Sequence, residues 1–184
     1  MKKIIASEWI SLDGVFDASL MGEWNAPYHS DSRADYIKEG ILSCDAMLYG
    51  RKTYEMLAPY WSSLKNNEMG VADKLNNAAK YVVSSTLKKA DWGDSTIINE
   101  HVVEGIEKLK KSPGGNILIQ GSATLVRSLM EAGLVDELRL LVHPIIMGKG
   151  ARFFLDGMHT GLKLIDTKTL DLGVIVLYYQ PVSL

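Results

Sequence analysis

Gly114-Gly115-Asn116-Ile117-Leu118-Ile119-Gln120-Gly121-Ser122-Ala123-Thr124-Leu125 sets a strand, a glycine and a helix start in close succession. Asn116 to Ile119 is short and mostly apolar, the pattern of a strand buried on both faces. Gly121 follows, and Ser122 can cap a helix whose inner side holds Leu125, Val126 and Leu129. Strand, glycine and helix start is a geometry that aims backbone N–H groups at a phosphate, with glycine letting the phosphate approach the main chain. It is equally the ordinary βα turn of an α/β protein. The G-x-G-x-x-G dinucleotide fingerprint is absent.

Downstream, Gly133 ends the helix and Glu137 to His143 reads as a strand, followed by His143-Pro144 and Gly148-Lys149-Gly150. Leu162 to Leu170 and Val174 to Tyr179 read as two closing strands joined across Asp171-Leu172-Gly173, with glycine as the bend. Upstream, Lys2 to Ser11 is a first strand stopped by Leu12-Asp13-Gly14. The loop from there to His29 carries Phe16, Trp24 and Tyr28, which serve either as a lid over a site or as pins holding the loop to the core. Ser32 and Asp35 have the spacing of a capping box for a helix to about Ser43, with Ala34, Ile37 and Ile41 on one face. Ala46 to Tyr49 is a strand running into Gly50-Arg51-Lys52-Thr53, a second helix start that suits an anion or simply carries two solvated cations. Lys80 to Ser84 ends in three hydroxyls, Ser84-Ser85-Thr86, fit for a phosphate or for a turn. Thr96 to Ile98 is a short strand. Val102 to Lys111 is a helix with Val103, Ile106 and Leu109 inward, stopped near Pro113.

The 184 residues fit a single domain, 1–184, and 47% hydrophobic with 23% charged residues is the balance of a globular protein. A net charge of −2 gives no basic stripe for nucleic acid and no polybasic membrane patch. No apolar run is long enough to span a bilayer, and Glu8 and Asp13 interrupt what a signal peptide would keep apolar. The lone Cys44 suits a reducing cytoplasm and reads as a small buried hydrophobe. His29, His101, His143 and His159 form no paired ligand motif, so no metal is expected. His143 before Pro144 reads as a structural histidine. Alternating strands and helices that give way to strands alone imply a mostly parallel sheet covered on both faces and finished by an antiparallel strand.

Six segments taken together resemble the dihydrofolate reductase-like superfamily, and more closely the reductase domain of riboflavin biosynthesis as it occurs in small bacterial proteins. They are Ser11-Leu12-Asp13-Gly14, Leu48 to Glu55, Lys80 to Ser84, Gln120 to Leu125, Leu134 to Leu138, and His143-Pro144 with Gly148-Lys149-Gly150. The resemblance implies a three-layer α/β/α fold on a mixed, mostly parallel eight-stranded sheet, and an oxidoreductase that uses NADPH. It implies that Gly50, Arg51, Lys52 and Thr53 hold adenosine-side phosphates, that Ser84 and Ser85 line the 2′-phosphate pocket, and that Gly121, Ser122, Ala123 and Thr124 hold the pyrophosphate. Many relatives carry arginine where Ser85 stands. Relatives are often dimers, which makes a homodimer the assembly the resemblance implies.

Hydride transfer also needs a proton nearby. Folate reductases keep a carboxylate on the first helix, and Asp35 lies nearest that place, though it reads as a capping residue too. Asp13, at the end of the first strand, is its rival. The first expectation is therefore reduction of a small pyrimidine- or pterin-like heterocycle, in its sharper form the ribosylaminopyrimidine phosphate of riboflavin synthesis. A non-catalytic protein that keeps the nucleotide crevice is the alternative, and true folate reduction ranks third.

Overall fold

The computed structural model describes residues 1–182. Eight strands form one sheet: β1 (Ile4–Ser11), β2 (Cys44–Gly50), β3 (Ala79–Val83), β4 (Ser95–Ile98), β5 (Asn116–Ile119), β6 (Glu137–His143), β7 (Gly161–Thr169) and β8 (Ile175–Val182). Their order across the sheet is β4-β3-β2-β5-β1-β6-β8-β7. All pairings from β4 to β6 are parallel, and β8 runs antiparallel to both β6 and β7. The helices are α1 (Met21–Trp24), α2 (Asp31–Leu42), α3 (Arg51–Ser63), α4 (Ala72–Asn77), α5 (Val102–Lys111) and α6 (Ala123–Glu131).

The chain steps outward from β1 through β2 and β3 to β4, then returns to β5 in the middle and on to β6. Right-handed crossovers taken in opposite directions lay their helices on opposite faces. Ile41 of α2, Tyr54 of α3 and Leu75 of α4 accordingly pack on Ile5, Met47 and Leu118. Ile106 of α5 and Val126 and Leu129 of α6 pack on Ile4, Ala6, Leu48 and Ile119. Alternate residues of each central strand thus feed the two cores, which is why these strands read as almost unbroken apolar runs. Cys44 is fully buried among them.

Unequal strand lengths create the opening that matters. The last pairs made by β5 are Ile119 with Ala6 of β1 and with Leu48 of β2. β1 continues to Ser11 beside β6 alone, and β2 continues to Gly50 beside β3 alone. The notch along Ser7–Ser11 is about 16 Å long at ~3.3 Å per residue.

Three local readings change. α2 is capped by Ser30, whose Oγ accepts from Arg33 N at 3.3 Å, so Ser32 and Asp35 are not a capping box. The Ser32 hydroxyl accepts instead from Asp171 N at 3.0 Å, tying α2 to the β7–β8 turn, and two serines within one turn of a helix start left the choice to tertiary contacts. Val103 is exposed while Ile106 and Leu109 are buried. The β7–β8 bend needs Leu172 as well as Gly173 at positive φ, 58° and 75°.

Candidate functional site

Two cavities of about 330 Å³ each open at the carboxyl ends of the central strands. Between them the β2–α3 and β5–α6 turns press together. Gly50 N donates to Gly121 O at 3.2 Å. A Cβ on Gly50 would overlap Ser122 Oγ, and a Cβ on Gly121 would lie 2.8 Å from Thr53 Oγ1. Gly121 also sits at φ +91°, which side chains of L-residues rarely adopt. Both glycines are therefore required by the closeness of the two turns themselves.

One cavity is a cleft between the starts of α3 and α6, lined by Gly50, Arg51, Ser122 and Thr124, with Val83, Val102 and Val103 as an apolar wall. No side chain caps α3, so its first N–H groups are free for a ligand, whereas Ser122 Oγ caps α6 by accepting from Leu125 N at 3.4 Å. Arg51 Nη1 lies 3.1 Å from Glu55 one turn on, a half-exposed pair that a stronger anion can displace.

The expected cofactor residues divide accordingly. Gly50, Arg51, Ser122 and Thr124 meet in the cleft, Gly121 stands at the junction, and Thr53 faces the other cavity. Lys52 and Ser85 are exposed outside the lining. Ala123 packs on the core. The Ser84 hydroxyl turns inward to accept from Thr86 N at 3.2 Å and Leu87 N at 2.9 Å, the turn-capping alternative for that serine.

The second cavity occupies the notch and is apolar. β1 presents Ser7, Glu8 and Trp9 to it, the following loop Phe16 and Trp24, α2 Ile37 and Ile41, and α3 Thr53, Met56, Leu57 and Trp61. Gln120 closes it at the end of β5. Trp24 is 1% exposed, its indole N–H donates to Asp17 O at 3.1 Å, and its ring meets His143 edge-on at 5.3 Å. The aromatic loop is thus pinned to the core while it walls the cavity.

Glu8 is the one ionisable residue in that lining. Only 1% of it is exposed, and Oε1 accepts from Gly121 N at 2.8 Å. Oε2 has no hydrogen-bonding partner among the described residues. Burial drives the carboxyl pKa well above its ordinary value, against the smaller opposing effect of the Gly121 hydrogen bond, so the acid form is favoured. Sequence reasoning assigned Glu8 no role. Its signal was a carboxylate inside an otherwise apolar strand, Ile4-Ile5-Ala6-Ser7-Glu8-Trp9-Ile10.

Neither carboxylate expected to supply the proton lines the cavity. Asp35 is exposed on α2. Asp13 accepts from Met147 N at 3.0 Å, Ser11 Oγ at 2.7 Å and Gly148 N at 2.9 Å, and those bonds hold its carboxyl far below the usual range. Arg152 Nη1 also donates to its backbone carbonyl. An anion so held fastens the 144–153 loop to the end of β1, as does Asp17, which accepts from Ala151 N at 3.0 Å. His143 is buried, with Nδ1 3.1 Å from Ile10 O and Nε2 3.4 Å from Asn25 Nδ2. Donation from Nδ1 and acceptance at Nε2 satisfy both partners with a neutral ring, and burial pushes its pKa down to about 4. No group of three or more His, Cys, Asp or Glu among the described residues could hold a metal ion, and no helix there is long and apolar enough to cross a membrane.

Comparisons with known proteins agree with this architecture. The chain is 31% identical over 187 residues to the uncharacterized protein YyaP of Bacillus subtilis (strain 168), covering 97% of this chain and 95% of that one. A pyrimidine reductase-like protein of Corynebacterium diphtheriae superposes with a TM-score of 0.71 at 15% identity, over 99% of this chain and 92% of the other. Dihydrofolate reductase from Enterococcus faecalis, solved with NADP(H), superposes with a TM-score of 0.65 at 17% identity, over 97% and 96%. These likenesses establish a dihydrofolate reductase-like fold, and the RibD C-terminal domain model matches residues 2–177. The chain is a member of the RibD C-terminal domain family.

Proposed function

We propose that this protein is an NADPH-dependent reductase of a small heterocycle of pyrimidine or pterin type. The observation that carries the reading is the meeting, at Gly50 and Gly121, of an apolar cavity and a cleft that holds Arg51 and the hydroxyls of Ser122 and Thr124, at the strand ends where open α/β sheets bind ligands. A dinucleotide has that division: charged phosphates at its middle and a flat, uncharged reactive ring at one end. Gly50, Arg51, Ser122 and Thr124 would hold the phosphates, the valine wall would flank the adenosine side, and the nicotinamide would supply hydride to an acceptor ring in the cavity. Aromatic walls make that space apolar, and burial favours the protonated form of Glu8 at its floor.

Relatives with the same fold support the cofactor, among them the folate reductase solved with NADP(H). The inward turn of Ser84 leaves Arg51 as the cation of the cleft lining for a 2′-phosphate. Reduction of 5-amino-6-(5-phosphoribosylamino)uracil is the finer form that a riboflavin-type family suggests. The test is a titration with NADPH and NADH followed by a screen of pyrimidines and pterins for loss of dihydronicotinamide absorbance. Absence of binding by either cofactor would refute the reading.

A further inference from the structure

We propose that the notch cavity takes an uncharged, phosphate-free planar ring, one acceptor atom of which meets the Glu8 carboxyl. This rests on the reductase reading for its place in the reaction, and narrows the substrate class within it. It departs from the phosphoribosyl pyrimidine that the family suggests.

Two independent features carry it. The first is the lining. Among the described residues no lysine, arginine or histidine lines the cavity, and apart from the indole N–H groups of its tryptophans the polar side chains there are Ser7, Glu8, Thr53 and Gln120. A phosphate ester brings about 1.5–2 negative charges that need cations or a row of N–H donors. The Gly50–Arg51 helix start that offers such donors opens on the other cleft, while α3 turns Thr53, Met56, Leu57 and Trp61 to this one. A phosphate inside it would lie against apolar walls with no lining cation to meet it.

The second feature is Glu8 itself. Nearly all of its surface is buried, one oxygen is committed to Gly121 N, and the other has no partner among the described residues while the residue lines the cavity. An oxygen left without a partner at the cavity wall is free to meet a ligand atom. In the acid form that burial favours, that oxygen can present an O–H donor to a ring nitrogen or carbonyl oxygen.

Trp9, Trp24 and Trp61 line the cavity and report binding through their fluorescence. The probes are quinoline, naphthalene (the same shape without the acceptor) and a quinolinyl phosphate, each titrated into the full chain at neutral pH, where quinoline is uncharged. Quinoline should bind and its phosphate should bind roughly a hundredfold more weakly or not at all. The quinoline-to-naphthalene affinity ratio should fall roughly tenfold in Glu8→Met, since comparing two variants cancels the difference in ring hydrophobicity. If Glu8→Met fails to fold, Glu8→Gln decides. Its amide oxygen can serve Gly121 and its NH₂ the ligand, so the ratio should stay within about threefold of wild type. A phosphate derivative that binds as well as quinoline overturns the proposal, as does an unchanged ratio in Glu8→Met or a lost one in Glu8→Gln. Turnover of the ribosylaminopyrimidine phosphate with NADPH overturns it too, while upholding the reductase reading. Ring binding by a protein with no affinity for any nicotinamide cofactor does the reverse.

Discussion

Replacing Glu8 by glutamine should stabilise the protein, and by an amount that grows with pH. In the fold the carboxyl keeps its proton above its ordinary pKa of 4.5 because burial penalises the anion, only partly offset by the Gly121 N–H. In the unfolded chain it ionises near 4.5. The sign follows from counting protons. Above 4.5 the unfolded state has released a proton that the folded state still holds, so folding becomes less favourable as pH rises through the window up to the folded pKa. Below 4.5 both states are protonated and the cost vanishes. The slope is about 1.4 kcal/mol per pH unit for one proton, so the deficit grows at that rate from the unfolded pKa up to the raised folded one. Glutamine has nearly the same shape, can still accept from Gly121 N, and cannot ionise. Urea unfolding of both proteins at unit intervals from pH 4 to pH 9 measures the difference directly. The two stabilities should run parallel at the acid end and diverge above it, and the pH at which divergence stops reports the folded pKa. A constant offset across the whole range would refute the reasoning, because Glu8 would then titrate normally inside the fold.

His143 should act in the opposite sense: its pKa falls from 6.5 to about 4 on burial, so stability drops as pH falls through that window, by about 3 kcal/mol in all, and His143→Gln should lack this slope in acid unfolding curves. Gly50→Ala should cost about 1–3 kcal/mol in urea unfolding because its Cβ overlaps Ser122 Oγ, and adding Ser122→Ala should recover part of the loss. Trp24→Ala should cost about 3–5 kcal/mol, since the ring is buried against His143 as well as lining the cavity; a loss under 1 kcal/mol would mark the loop as a lid instead. On the proposed function, Arg51→Ala should weaken NADPH about tenfold and NADH far less, and Glu55→Ala, by freeing Arg51, should tighten NADPH; equal losses for both cofactors, measured by fluorescence titration, would place Arg51 on the shared pyrophosphate.

The central unit was legible because its signals are local. Asn116 to Ile119, Ser122 as cap and the inward Leu125, Val126 and Leu129 all stand as read. Strand runs and glycine stops depend on neighbours a few residues away, and so does the burial of Cys44. The role of Glu8 was not legible for a different reason. Its environment is fixed by β5 stopping at Ile119, more than a hundred positions along the chain, and a strand's length relative to its neighbour is not written in either strand. Ser84 shows the same limit on a smaller scale: three hydroxyls in a row announce a polar function, but which way each points is decided by how the chain turns after β3. Asp13 was noticed for its place at a strand end. Its partners, Met147 and Gly148, lie on a loop that sequence patterns leave without coordinates.

The peptide groups of Gly121 have a further consequence. Its N–H is held by Glu8, in the wall of the notch cavity, and its carbonyl is held by Gly50, in the wall of the cleft beside Arg51. One residue therefore belongs to both chambers. A ligand that draws on the Glu8 carboxyl alters the bond that positions Gly121, and a ligand that settles on the Gly50 turn does the same from the other side. Linkage then requires that whatever one occupant does to the affinity of the other be returned in equal measure. On the proposed function, any coupling between the two chambers would run through this single residue.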